Sequence, residues 1–487
     1  MILYPGSNAY DRGDDGLPPI ICQNMYPEQV PPELGTAWVL VSSPGLSFIS
    51  GVAGEPRGMF SSYGVFNGDI FSVFDQVLYR TNSAGVTTPV PGPVITGGPD
   101  DRVIFTSVRG HIVFSTAGQA YDFTGTNFTQ INAGALPLGS IGSVTAMDGR
   151  IVYMEQGTDQ IWWSDIFAPN TVQALAFATA ETFEDQLVRI IADHRELWLF
   201  GQSTIEVWRP VEDFTLPFQR VGDVVLEKGT LSPYSIAKAD NTLFWVGQDA
   251  IVYRAEGAGF RRVSNHGIDA DLQRLTEDEL SKVFAFSYTD DGHIFYVLTI
   301  PDVVTYVYDA SVQSWTTRKT DGLETWAPHS YADAFSDHYT ITSNTINLLT
   351  RNTVYDDIGA AGAQLPIERL VTCNIPTDRP MPVARLALTI TAINVVGDDR
   401  IEAVEDPNQK SSVYFSFSDD AGRSSNIDQA LWSNEEKIDI HQHGQYSQRL
   451  QLFRQGQVRS PGRVYRMRMI DAHKWMMGPL FLNNAAH

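Results

Sequence analysis

Short apolar strands alternate with polar or glycine-bearing turns along most of the chain, and the alternation repeats. Gly68-Asp-Ile-Phe-Ser-Val-Phe74 is followed by Gly110-His-Ile-Val-Phe114, Gly149-Arg-Ile-Val-Tyr-Met154, Arg195-Glu-Leu-Trp-Leu-Phe200, Asn241-Thr-Leu-Phe-Trp-Val246 and Gly292-His-Ile-Phe-Tyr-Val297. A weaker copy stands at Asp337-His-Tyr-Thr-Ile341. Successive turn positions are 42, 39, 46, 46, 51 and 45 residues apart. A second strand follows in several units, as in Ile161-Trp-Trp163, Ile205-Glu-Val-Trp208, Ile251-Val-Tyr253 and Tyr306-Val-Tyr308. Aromatic and β-branched residues suit a pleated, half-buried surface. A period of about 40–50 residues filled by short strands is that of β-propeller blades. Seven copies predict seven blades, or six if the weak last copy is discounted.

The propeller is expected over residues 36–355, with Thr36-Ala-Trp-Val-Leu-Val41 and Leu46-Ser-Phe-Ile49 as candidates for the strand that closes the ring. Residues 1–35, with their many prolines, read as an extended N-terminal arm. The best helical signal is Thr276-Glu-Asp-Glu-Leu280, where Thr276 and Glu279 form a capping-box pair inside the longest gap. Ile358-Gly-Ala-Ala-Gly-Ala-Gln364 reads as a linker, after which the strands lengthen: Ala384–Val396, Val413–Ser418, Gln448–Phe453 and Val464–Ile470. Residues 356–487 are therefore expected to form a β-sandwich or jelly-roll-like domain. The fold class is all-β.

Charge changes the picture in one place. The 487 residues carry a formal net charge of −23, which argues against DNA wrapping or an anionic membrane surface as the main partner. Residues 441–487 contribute +6 and the remainder −29. The basic residues of that segment, Arg449, Arg454, Arg459, Arg463, Arg466, Arg468 and Lys474, are the candidate interface. In Arg463–Ile470, alternation puts Tyr465, Met467 and Met469 on one face and Arg466 and Arg468 on the other. The first face is expected to pack into the core. The second is expected to point outward, toward an acidic neighbour in preference to DNA. A solvated edge strand, charged against aggregation, is the alternative.

Other chemistry is sparse. No stretch reaches about 18 apolar residues, so no membrane insertion is expected, and the first residues do not read as a secretion signal. Cys22 and Cys373 are expected to be free thiols. No Walker A, G-x-S-x-G, H-E-x-x-H or C-x-x-C motif occurs. His441 and His443 with Asp439 share a strand face, but the set is read as a solvated strand end rather than a metal site. Ser418-Asp-Asp-Ala-Gly422 begins like an Asp-box and is read as a hairpin turn. Glu181, Glu184 and Asp185 are read as an exposed acidic loop, and arginine is too sparse in the repeats to predict a clamp built from several blades. No catalytic residue, cofactor or metal is expected.

Several segments in order resemble one family: Asn24-Met-Tyr-Pro-Glu28, Ser43-Pro-Gly45, Gly201-Gln-Ser-Thr-Ile-Glu-Val207, Glu227-Lys-Gly229, Leu275-Thr-Glu-Asp-Glu-Leu280, Val307-Tyr-Asp-Ala310 ending at Trp315, and Arg463-Val-Tyr-Arg-Met-Arg468. Together they are similar to the tail hub, or packaged-DNA stabilisation, proteins of short-tailed bacteriophages. The resemblance implies a virion structural protein made in the host bacterial cytoplasm. It implies a homo-oligomeric ring, sixfold in the family, below the portal and adaptor, which extends the DNA channel. The ring retains packaged DNA and carries needle or plug and tailspike or fibre proteins, and DNA passes through it without sequence-specific binding. A carbohydrate-binding or glycan-processing propeller is the alternative. It would need exposed Trp or Tyr clustered on one loop face, or convergent acids or arginines at one mouth of the ring.

Overall fold

The computed structural model describes residues 2–483 except 4, 7, 13–17, 32–37, 181–184, 214–215, 258, 360–363, 394–411, 420–431, 441–446, 461 and 471–473. Seven antiparallel blades are present. Their first strands are Pro56–Phe60, Ile104–Val108, Ile141–Met147, Leu187–Asp193, Ala237–Ala239, Phe284–Asp290 and Ser330–Ala334. In each blade the next two strands follow by antiparallel hairpins, as in Ile141–Met147, Arg150–Glu155 and Gln160–Trp163 of blade three.

The seven repeat positions occupy equivalent places. Gly68, Gly110, Gly149, Arg195, Asn241 and Gly292 lie between the first and second strands of their blades, and Asp337 opens the second strand of the seventh. The chain must turn left-handed there. Asp148-Gly149, Asp240-Asn241 and Asp291-Gly292 hold φ values of 46 and 77°, 47 and 57°, and 52 and 82°. A doublet of positive φ matches the twist of a two-residue hairpin, and glycine, asparagine and aspartate tolerate it best.

The ring closes through Gly45–Gly51, which runs antiparallel to Thr345–Thr350 and supplies the outer strand of blade seven. Leu46–Ile49 therefore closes the ring, and Trp38–Val41 does not. Trp38–Ser42 instead pairs with Met25–Gln29 and with Lys474–Leu482. The expected arm is thus corrected: Cys22–Gln23 and Met25–Gln29 are sheet strands. Residues 8 and 9 also cover the edge of blade six, where Ala9 N–H donates to Trp315 O at 2.7 Å and the Trp315 N–H donates to Asn8 Oδ1 at 3.0 Å.

The sheet of blade six continues beyond its fourth strand, Ser314–Arg318, through Cys22–Gln23, Arg369–Pro376, Gly462–Met469, Ser412–Ser418 and Glu436–Asp439, nine strands in all. The far part packs against a second sheet ordered Met25–Gln29, Trp38–Ser42, Lys474–Leu482, Arg385–Ile393, Ser447–Phe453. Between them lies a core of Met25, Val371, Cys373, Leu386, Ile390, Phe415, Tyr465, Met467, Met469, Trp475 and Leu480. Each such side chain contributes about 1.5–3 kcal/mol by leaving water. The C-terminal module is a β-sandwich, and the N-terminal segment supplies strands to it. At the expected boundary, Tyr355–Asp357 pairs with Gln364–Pro366 and lies parallel to Gly45–Gly51, so the seventh sheet runs past residue 355. The gap between blades five and six holds two helices, His266–Gln273 and Glu277–Lys282. The second begins at Thr276 with the expected capping box.

Candidate functional site

The basic C-terminal strand, Gly462–Met469, is interior to its sheet, between Arg369–Pro376 and Ser412–Ser418. It is therefore not an edge strand. Tyr465, Met467 and Met469 are fully buried in the sandwich core, as alternation requires. The opposite face carries its own counter-charges. Arg468 donates to Glu435 Oε2 at 2.7 Å and to Glu368 Oε1 at 3.4 Å, and its guanidinium lies 4.7 Å from the Tyr414 ring centroid. Arg466 donates to Ser416 Oγ at 3.1 Å, approaches Glu435 Oε1 at 3.5 Å and stacks 4.4 Å from Trp432. The hydrogen bond from Arg468 and the charge of both arginines hold the Glu435 carboxyl below its usual range.

The expected outward arginines are thus half-buried and paired within the chain. Their neighbour Arg463 is buried and grips Asp419 with two nitrogens, at 2.5 and 2.8 Å, while lying 4.1 Å over Phe417. Asp419 of the Asp-box-like stretch is spent on this contact. Of the other candidates, Arg454 and Arg459 are exposed, Lys474 is half-buried at the start of the last strand, and Arg449 lies on Ser447–Phe453 with its side chain outside the described residues. The structure therefore brings together Arg466 and Arg468 on one face of the sheet and puts Arg463 on the opposite face, with Phe417 and Tyr465.

Asp185 holds a turn in place. Its carboxylate accepts from Ser203 N at 2.9 Å and from Thr204 N at 2.8 Å, which fixes the bend of the Gly201-Gln-Ser-Thr204 motif. Glu181, Glu184, His441 and His443 lie outside the described residues. Asp439 accepts from Ser412 Oγ at 3.0 Å. Among the described residues no three His, Cys, Asp or Glu side chains converge as a metal site, and no helix is long and apolar enough to cross a membrane. Cys22 and Cys373 are free and buried.

Two constellations escaped the sequence reading. One joins propeller and sandwich. Asn24 is 1% exposed; its amide donates to Lys319 O and Glu368 O, both at 2.8 Å, and its oxygen accepts from Lys319 N at 3.0 Å. Arg318 lies 3.6 Å over Trp326 and reaches Pro44 O at 2.5 Å, while Arg351 bridges Asp290 and the Tyr26 hydroxyl. Asn24-Met-Tyr-Pro-Glu28 and Ser43-Pro-Gly45 are thus junction elements. The second constellation brings Arg102 of blade two and Arg189 of blade four within electrostatic reach of one another and of Tyr234. No local pattern marks either one, because their members stand far apart along the sequence.

Comparison with known proteins gives a family. The family model described as phage stabilisation, bacteriophage P22 Gp10, β-propeller, matches residues 19–343. No curated protein matches the chain. Among solved structures, the computationally designed Ika8 protein aligns at 11% identity and TM-score 0.41, over 63% of this chain and 100% of that one. YCF48 bound to D1 peptide aligns at 11% and 0.38, over 63% and 97%, and BamB from Moraxella catarrhalis at 11% and 0.36, over 62% and 96%. At such similarity none of the three speaks to function. The family match spans the junction strands and nearly the whole propeller, and so the chain belongs to the P22 Gp10 family of phage packaged-DNA stabilisation proteins.

Proposed function

We propose that the protein is the subunit of a tail hub, or nozzle: a homo-oligomeric ring, hexameric by family resemblance, docked below portal and adaptor. The ring lengthens the DNA channel, retains packaged DNA until ejection and anchors needle or plug and tailspike or fibre proteins. Family membership over residues 19–343 carries this reading. Two physical features support it. The net charge of −23 gives a wall from which DNA is repelled rather than gripped. Arg102, which starts in blade two, lies 3.9 Å over Phe284 of blade six; this contact crosses the propeller axis, so a DNA path fits between copies of the chain rather than through one propeller.

The role is structural, and no catalysis is proposed. Among the described side chains of the basic C-terminal segment, Arg454 and Arg459 are the exposed members, and these are the residues offered to an acidic neighbouring protein. Arg466 and Arg468 serve mainly to hold the sandwich face in shape. Exposed large aromatics among the described residues are Tyr63, Phe167, Phe177 and Phe453, spread over blade one, blade three and the sandwich, so no clustered sugar-stacking face supports the carbohydrate-binding alternative. Electron microscopy of the purified protein, alone and mixed with a portal complex, tests the proposal. Rings that cap the portal are expected; a monomer that stays free of portal at micromolar concentration would overturn it.

A further inference from the structure

The first strands of all seven blades run the same way around the ring, so side chains at their starts share one mouth of the central channel. Four polar side chains meet there from blades two, four, five and seven. Arg102 stands two residues before Ile104–Val108, Arg189 within Leu187–Asp193, Tyr234 three residues before Ala237–Ala239, and His329 immediately before Ser330–Ala334. Arg102 extends across the axis. Its guanidinium lies 3.9 Å over the ring of Phe284, the first residue of blade six, and donates to the His329 carbonyl. His329 stacks on the same phenylalanine, with centroids 5.6 Å apart. Blades two and six are as far apart as two blades of seven can be, so the channel is occupied at this level.

The charges at this mouth do not balance. Arg57, at the start of blade one, is fully buried, and its guanidinium donates only to neutral oxygens: those of Asp101, Asp75 and Thr96 from the backbone, and Thr116 Oγ1. The carboxylates of Asp101 and Asp75 act on Arg57, and Asp101 also acts on Tyr234. Among the described residues neither Arg102 nor Arg189 forms an ion pair, and the charge of Arg189 pushes Arg102 further down. Arg189 Nε is buried without a hydrogen-bond partner. Burial pushes both guanidiniums down to about 10, and each lies within electrostatic reach of Tyr234. Two cations held close repel one another, and a buried donor such as Arg189 Nε is costly to leave without an acceptor. Stability alone does not account for the arrangement. A guanidinium offers its donors in a planar fork that matches an oxyanion two atoms at a time.

We propose that this mouth of the propeller channel binds one small oxyanion, of phosphate chemistry, between Arg102, Arg189 and the Tyr234 hydroxyl. The anion neutralises the guanidinium pair, gives Arg189 Nε its missing acceptor and locks blades two, four and five to a common centre. The site belongs to the fold of a single chain and does not depend on the hub reading.

The test uses the full chain with inorganic phosphate as the probe, by titration calorimetry and by thermal melting against sodium chloride at matched ionic strength. One equivalent of phosphate should bind, and the melting temperature should rise with phosphate along a saturable curve. Arg189→Gln should weaken binding at least tenfold and abolish the rise. Because Arg189 donates to no described group, that variant should melt in chloride at or above the wild-type temperature, so loss of binding cannot be ascribed to misfolding. Arg195→Gln, an exposed arginine on the opposite mouth with 80% of its side chain accessible, should leave binding unchanged. A wild-type response no larger in phosphate than in chloride, or one that survives Arg189→Gln, would overturn the proposal.

Discussion

Replacing Asn24 tests whether the propeller and the sandwich are joined as one unit. The residue is buried, sits in the left-handed region at φ 57° and makes three side-chain hydrogen bonds, two to Lys319 and one to Glu368. Asn24→Ala strands one backbone N–H and two carbonyls in a dry junction, at about 1 kcal/mol each at the low end of the range. It also places alanine in a left-handed conformation, for about 1 kcal/mol more. The expected loss is about 4 kcal/mol, a large fraction of ordinary domain stability. Asn24→Gly loses the same bonds without the conformational strain and should recover about 1 kcal/mol of it. Asn24→Asp keeps an acceptor for Lys319 N–H but turns an anion toward two carbonyl oxygens, which raises the folded pKa above the unfolded value of about 3.9. At neutral pH it should be the worst of the three. Its stability should then rise as pH falls through the folded pKa, because the folded state takes up the proton first. Urea denaturation followed by fluorescence, with limited proteolysis near residue 320, measures both stability and opening of the junction. An alanine variant within about 0.5 kcal/mol of wild type, or a glycine variant no better than alanine, would refute the reasoning.

Three further outcomes are expected. Burial and the neighbouring Arg102 push the His329 imidazole down to about 4; its folded pKa lies below the unfolded one, so stability is full above about 6.5 and falls as pH drops toward 4, by up to about 3 kcal/mol. His329→Gln should flatten that part of a plot of urea midpoint against pH. Burial raises both thiols, Cys373 to about 12 and Cys22 further, so neither should alkylate in the folded protein at pH 8 and both should alkylate after unfolding without reductant; an unfolded, unreduced chain that takes up no label would show a disulfide instead. Arg468→Lys keeps the charge but loses the fork onto Glu435 and the stacking on Tyr414, and should cost about 1 kcal/mol, with a wild-type urea midpoint reducing the pair to simple charge.

The propeller was legible because each blade repeats a local device. A strand of aromatic and β-branched residues meets a turn that must be left-handed, and Asp148-Gly149, Asp240-Asn241 and Asp291-Gly292 advertise that turn in their side chains. Even Arg195, at φ 61°, was found, because the strand beyond it keeps the pattern. The partner of a strand is not written locally. Trp38–Val41 and Leu46–Ile49 read alike, yet one enters the sandwich and the other closes the ring. The buried alternation of the last strands was equally plain, since a period of two separates Tyr465 and Met467 from Arg466 whatever lies beside them. What Arg466 and Arg468 touch was not plain, because Glu368 and Glu435 are far along the chain. Lys474–Leu482 was missed for a different reason: Gly478-Pro479 reads as a break, and the structure absorbs it as a register shift against Arg385–Ile393.

The junction explains why the family motifs near the N-terminus carry no chemistry of their own. Gly45 has no room for a side chain, since a Cβ there would lie 2.5 Å from the Tyr355 carbonyl oxygen. Asn24 is the only kind of residue besides glycine that takes its backbone angle readily while supplying both a donor and an acceptor. These requirements are met where Cys22–Gln23 runs parallel to the outer strand of blade six on one side and antiparallel to Arg369–Pro376 on the other. Backbone hydrogen bonding across that line joins propeller and sandwich through a sheet. A surface presented by the sandwich therefore keeps a fixed direction relative to the propeller axis. In a protein of a family that stabilises packaged DNA, a load on one module would pass to the other through a sheet rather than a hinge, because the N-terminal segment is folded into both.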